Sequence, residues 1–156
     1  MTHSHPSLPT AAAELTLLFD GGCPLCVREV QFLQRRDRRR AAAPGAPGPR
    51  LAFVDINAAE YDPAAHQGIS YREAMGRIHA IDASGAVLRD LAVFRRAYAL
   101  IGLGWLYAPS RWPLLGALGD GLYALWARWR LAITGRPSLD ALCSARGCRP
   151  GGGAQA

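Results

Sequence analysis

The sequence predicts an α/β sandwich with a small mixed sheet and extra C-terminal helices. Three observations predict it: a β–α–β order within the first 56 residues, a hairpin pattern across residues 77–90, and helical apolar periodicity after that hairpin. An early parallel unit followed by a hairpin and a helix builds a mixed sheet covered by helices. The 156 residues, half of them hydrophobic and 19% charged, suit one domain able to bury a core.

Residues 1–13 are expected to be a disordered tail, 14–136 the folded domain, and 137–156 a flexible tail carrying cysteine and glycine. Leu15 to Phe19 is a continuous apolar run, the pattern of a buried central strand. Asp20-Gly21-Gly22 breaks it. Pro24 then suits the first turn of a helix, where a missing N–H costs nothing. Cys26, Val30 and Leu33 recur at helical spacing, with Val27 beside them, and the run Arg35 to Arg40 closes the helix as a solvated, cationic end. The Pro/Gly/Ala stretch at residues 41–50 links it to a second strand, Leu51 to Ile56.

Ser70 and Glu73 have capping-box spacing for a short helix. Arg77 to Asp82 and Ala86 to Asp90 read as a hairpin turning at Ser84-Gly85. Asp90 is placed to cap a helix whose apolar stripe is Leu91, Phe94, Tyr98 and Ile101. Asp120 is placed to cap the last long helix, with Tyr123, Trp126, Trp129 and Arg130 on its surface and Gly135-Arg136-Pro137 as its stop.

Charge and composition exclude several classes. The net charge is +6, but all 18 basic residues are Arg, without the Lys that accompanies Arg in generic phosphate binding, so no nucleic-acid partner is expected. The first residues lack a basic region followed by an apolar one, which points to a cytoplasmic protein. The apolar stretches Ala97 to Pro109 and Trp112 to Ala127 are interrupted by Arg111 and Asp120, the pattern of buried helices or an interfacial hairpin and not of membrane spans.

The chemistry gathers at Cys23-Pro24-Leu25-Cys26. Cys23 falls at a strand-to-helix junction, where free N–H groups and the positive end of the helix dipole stabilise a thiolate. Cys26 lies within disulfide reach across the first turn and opens the apolar stripe. The expectation is an exposed, acidic Cys23 as nucleophile and a more buried Cys26 as resolving thiol. Asp20 is either a general base for Cys26 or the anchor of an Asx-type turn. Gly21, Gly22 and Pro24 shape the turn that substrate meets.

This stretch resembles the DCC family of predicted thiol-disulfide oxidoreductases, whose D-G-x-C-x-L-C pattern is met by Asp20, Gly21, Cys23, Leu25 and Cys26. The segments "FVDIN", "IHAIDASGAVLRD", "AVFRRAYAL" and "LYALWARWR" follow in the family's order, so the resemblance covers roughly residues 15–135. It implies a thioredoxin-like fold, thiol–disulfide exchange with Cys23 attacking and Cys26 resolving, and no cofactor. The implied partner is a protein or small-molecule thiol or disulfide, with a separate reductant. One departure from thioredoxins concerns docking: the strand from Arg77 has no preceding proline, so a substrate is expected to dock differently.

Other groups are weighed against it. Cys143 and Cys148 offer a second redox pair, with Arg146 and Arg149 favouring thiolate, or idle tail thiols. Joined with Cys23 and Cys26 they would make four zinc ligands, but the two pairs lie too far apart for a compact zinc module, so no metal is expected. His3 and His5 belong to the tail, His66 to a loop, and His79 to a strand as a packed or surface residue. Trp105, Tyr107, Trp112, Trp126 and Trp129, interleaved with Arg111, Arg128 and Arg130, are core with snorkelling Arg or a membrane- or partner-docking surface. In that alternative the protein is a docking module and its cysteine pair is vestigial.

Overall fold

Leu15–Phe19 forms strand β1, and all five residues are buried. The computed structural model describes residues 13–148. The other strands are β2 (Leu51–Asp55), β3 (His79–Asp82) and β4 (Val87–Arg89). They assemble in the order β2-β1-β3-β4, with β1 parallel to β2 and antiparallel to β3. Five α-helices follow the same chain order: α1 (Pro24–Ala41), α2 (Tyr71–Gly76), α3 (Leu91–Leu100), α4 (Pro113–Ile133) and α5 (Leu139–Ala145). This is the mixed sheet that the element order predicts, in the thioredoxin-like arrangement that the family resemblance implies.

Alternation along β1 divides the core into two layers. Leu15 and Leu17 meet Leu33 of α1 and Val93, Ala97 and Leu100 of α3. Leu18 faces the other layer, with Ile56, Tyr71, Ala74, Met75 and Cys143. Burying a Leu such as Leu33, fully removed from water, stabilises the fold by about 1.5–3 kcal/mol.

Several expectations are corrected here. The inward face of α3 is Val93, Ala97 and Leu100, joined at its end by Ile101, the one residue of the expected stripe that is fully buried, and small Ala97 lets the helix approach the sheet. Phe94 and Tyr98 are turned to its flank and reach Tyr107 and Tyr123. Asp90 occupies the cap position of α3 but makes no capping hydrogen bond; its φ is 54° and its carboxylate pairs with Arg77 at 3.2 Å. Asp120 caps nothing, because Pro113 starts α4 a full two turns earlier and leaves Asp120 exposed inside the helix.

The cationic end of α1 hides a structural residue. Asp37 is buried, and its Oδ2 accepts the N–H groups of Arg50 and Leu51, both at 3.0 Å. That carboxylate fastens the linker to the helix and fixes where β2 begins. Residues 1–12, with His3 and His5, lie outside the described residues, as do Arg149 and the final glycines. Within the segment expected as a flexible C-terminal tail, Leu139–Ala145 is helical and capped by Ser138, whose Oγ accepts from the Ala141 N–H. No helix among the described residues is long and apolar enough to cross a membrane.

Candidate active site

Cys23 is the N-cap of α1, with an extended backbone (φ −98°, ψ 112°). Its N–H donates to the Asp20 carbonyl at 3.0 Å, and its carbonyl accepts the Val27 N–H at 3.0 Å. Its Sγ accepts the Cys26 N–H at 3.4 Å. Both cysteines are free thiols. The Cys26 thiol donates to the Cys23 sulfur, and this bond, helped by the Cys26 N–H and the Arg130 charge against burial and Asp20, lowers the Cys23 thiol to about 6. The same bond, with burial, pushes Cys26 up. Cys23 thus holds the thiolate at neutral pH and Cys26 the proton.

Acidity agrees with the sequence reading, but exposure does not. Cys23 is 1% exposed, while Cys26 is only partly buried. In accepting the N–H of the helix's first turn, the Cys23 sulfur folds against its own helix end. Cys26, three residues on, reaches the wall of a cavity of about 240 Å³.

Asp20 is buried at the end of β1. Its Oδ1 accepts from the Gly22 N–H at 2.9 Å, Asn57 Nδ2 at 2.6 Å and Arg136 Nη2 at 3.1 Å. The first of these is the Asx-type turn. Its Oδ2 is buried and has no hydrogen-bond partner among the described residues, and Asp20 lines the same cavity as Cys26. Gly21 donates its N–H to Asp55 Oδ1 at 2.9 Å, and a Cβ there would fall on the Asp55 carboxylate. At Gly22 a Cβ would meet the Arg136 guanidinium. Neither glycine has a left-handed backbone; Gly21 needs glycine for space, whereas at Gly22 only the movable end of the Arg136 side chain stands in the way. Pro24 takes the first helical position.

Helix α4 supplies what the motif lacks. Arg130 is buried; its Nη1 lies 3.5 Å from Cys26 Sγ and its Nη2 donates to the Met75 carbonyl. Tyr123, two turns earlier on the same face of the helix, accepts the Ile78 N–H at 2.9 Å, and burial pushes its phenol up to about 12. Phe94, Tyr107, Tyr123 and Trp126 give the cavity aromatic walls, and Leu25 stands at its rim.

A strand-to-helix cysteine pair with one stabilised thiolate has the form of a thiol–disulfide centre. The model of the DCC1-like thiol-disulfide oxidoreductase family matches residues 17–136. The chain belongs to that family. It is also similar to an Arabidopsis thaliana protein named only as uncharacterized and chloroplastic, with 41% identity over 133 residues. That match covers 85% of this chain and 58% of the relative, so the chain spans little more than half the length of the relative. No solved structure matches. The family is described as one of thiol–disulfide oxidoreductases.

In this DCC1-like protein the second cysteine pair lies apart. Cys143, on α5, is buried beside Met75 and Tyr71, and it and Cys148 are free thiols joined by a hydrogen bond. Burial and that bond push Cys148 up, opposite to the activation expected. Arg146 is spent elsewhere: it donates to the carbonyls of Ile56 and Asn57 and stacks on the Tyr71 ring at 4.6 Å. Among the described residues no hydrogen bond joins this pair to Cys23 or Cys26, and no three His, Cys, Asp or Glu side chains gather as metal ligands. His79 is packed, with Nε2 accepting from Arg89 Nε at 3.2 Å, and His66 stacks on Tyr61.

Sequence reasoning missed Arg130, Asn57, Arg136 and Tyr123 as site residues. One signal was available for Arg130. It continues the Tyr123 and Trp126 stripe at helical spacing, and a cation on an apolar face needs a buried partner.

Proposed function

We propose that Cys23 and Cys26 are the redox pair of this oxidoreductase, cycling between dithiol and disulfide as they exchange with a thiol or disulfide substrate. The observation that carries the reading is the shared proton: a Cys23 thiolate near 6 accepting from the thiol and the N–H of Cys26. A thiolate is the attacking species in exchange, and a low-pKa thiol is also the better leaving group. Acidity and access fall on different sulfurs, Cys23 and Cys26. The pair needs no cofactor for this chemistry, since the electrons come from the two thiols. The apolar cavity beside Cys26 is the place for substrate.

The test is oxidation of the reduced protein with one equivalent of a small disulfide, followed by peptide mapping. A Cys23–Cys26 linkage is expected, and Cys23→Ser or Cys26→Ser should each abolish turnover. A mapped linkage confined to Cys143–Cys148, with both variants fully active, would refute the assignment.

One observation favours a second reading, a membrane- or partner-docking module with a vestigial pair. Helix α4 and the turn before it expose Trp105, Trp112, Leu114, Leu118, Leu122 and Trp129. That reading requires two ordinary thiols at Cys23 and Cys26. A thiolate titration near 9 for both would favour it.

A further inference from the structure

The second cysteine pair brackets an arginine that reaches the support of the catalytic turn. We infer that Cys143 and Cys148 are a second redox site, closed by a small disulfide oxidant, and that the closed bond is a clasp fixing Arg146 against the residues that hold Asp20. This role is separate from that of Cys23 and Cys26 and holds whether or not those two exchange with substrate.

The two thiols are placed to close. After α5 ends at Ala145, Gly147, with φ 67°, turns the chain back, and the Cys148 N–H donates to the Cys143 carbonyl at 2.9 Å. A bond of that length keeps the two Cα atoms within about 7 Å of each other, the limit for a disulfide. The Cys148 thiol bonds the Cys143 sulfur, and the Arg72 guanidinium lies within hydrogen-bond reach of that sulfur as well. Both cysteines pack in the layer of Ile56, Tyr71 and Met75, so the sulfurs already face each other inside the fold.

Between them stands Arg146. Its Nη1 donates to the Ile56 carbonyl at 2.8 Å, its Nη2 donates to the Asn57 carbonyl, and its guanidinium stacks on the Tyr71 ring. Tyr71 Oη donates to Asn57 Oδ1 at 3.1 Å, and Asn57 Nδ2 donates to Asp20 Oδ1 at 2.6 Å. Asp20 Oδ1 in turn holds the Gly22 N–H, next to Cys23. One unbroken set of contacts thus runs from the loop between Cys143 and Cys148 to the catalytic turn.

Cys148 is the sulfur that solvent reaches, since it is partly buried while Cys143 is 3% exposed. Cys148 loses its proton to water and attacks one sulfur of the oxidant; the oxidant S–S bond breaks and its other sulfur leaves with the bonding electrons. Cys143 then loses its proton and attacks Cys148 Sγ. The Cys143–Cys148 bond forms, the mixed disulfide breaks, and the second oxidant sulfur leaves. The two departing thiolates take up two protons, so one dithiol and one disulfide become one disulfide and two thiols. Burial and the bond to Cys143 hold the Cys148 thiol up, so this closure is slower than exchange at Cys23, whose thiol is lowered to about 6. The ring spans only residues 143–148, and a short ring takes little entropy from the unfolded chain. Its effect is local: it denies the loop the freedom to carry Arg146 away from Asn57.

The experiment treats the reduced full chain with excess bis(2-hydroxyethyl) disulfide at pH 7. Samples are quenched in acid, unfolded, alkylated and mapped over time. A Cys143–Cys148 linkage within one chain is expected, forming roughly tenfold or more slowly than Cys23–Cys26. Hydrogen exchange of residues 55–58 is then compared with that in Cys148→Ala, which keeps the buried Cys143. The two reduced proteins should match. Once oxidised, the native chain should exchange this segment roughly threefold or more slowly than the variant, because the clasp suppresses a local opening. Cys143 and Cys148 that both remain alkylated in excess oxidant, or equal exchange in the two oxidised proteins, overturns the inference and leaves the Cys23–Cys26 pair standing. A clasp that closes while Cys23 and Cys26 stay reduced supports the inference and overturns the redox reading instead.

Discussion

The guanidinium of Arg130 stands 3.5 Å from the sulfur of Cys26, although 104 residues separate them in the chain. The contact brings the last long helix onto the cysteine turn and places a buried cation where a thiolate needs one. The charge also favours the Cys23 thiolate. Its backbone bond to Met75 holds the guanidinium in place, so the charge is positioned before any substrate arrives.

Replacing that cation should be visible in the thiol titration. Arg130→Gln is expected to move the Cys23 thiolate from about 6 toward the ordinary 9 and to slow exchange at neutral pH. Ultraviolet thiolate absorbance against pH measures it. A variant that titrates with the unaltered protein would show that the cation serves only to hold Met75.

The lowered Cys23 thiol links redox state to stability. Its folded value is about 6 against an ordinary 9, so between these pH values the unfolded chain binds more protons. Stability of the reduced protein should therefore rise with pH across this window, and fall as pH drops toward 6. Cys23→Ser should lose this slope. Urea midpoints at pH 6 and 8.5 for the two proteins provide the comparison.

Asp20 separates a positioning role from a proton-transfer role. Asp20→Asn retains an oxygen for the Gly22 N–H but removes the negative charge that opposes the Cys23 thiolate. If Asp20 positions the turn, the variant should titrate lower and remain within about tenfold of full exchange rate. A loss of about 10²-fold or more, the scale of a missing general base, with an altered pH profile would assign it proton transfer.

Asp37 shows where the sequence was legible and where it was not. The strand Leu15–Phe19, the helix start at Pro24 and the turn at Ser84-Gly85 are local, and apolar period, proline and glycine declare them. The Asp37 carboxylate, inside an arginine run that reads as a solvated end, takes its meaning from Arg50 and Leu51, which only folding brings near. Asp120 misleads for the opposite reason: it has a cap residue's chemistry, but Pro113 had already begun the helix. At the site, Asp20, Cys23 and Cys26 are contiguous and readable, whereas Arg130, Arg136 and Asn57 arrive from distant segments. The exposure of the two cysteines depended on how one sulfur folds over one helix turn, and the wheel alone pointed the wrong way.

Asp37→Ala leaves two N–H groups at the α1–β2 junction without their acceptor. Each is expected to cost about 1–3 kcal/mol, seen as a lower urea midpoint, while the thiol titration near 6 is unchanged.

The central claim is that Cys23 and Cys26 form a reversible couple tuned by a stabilised thiolate. Its most direct test is the reduction potential of the pair, equilibrated against dithiol and glutathione buffers and read by mass spectrometry of alkylated peptides. The account predicts a reversible two-electron couple between about −270 and −120 mV, the range of catalytic dithiols. Because stabilising the reduced form raises the potential, Arg130→Gln should lower it. A pair that never closes to a disulfide, or whose potential ignores Arg130, would contradict the account.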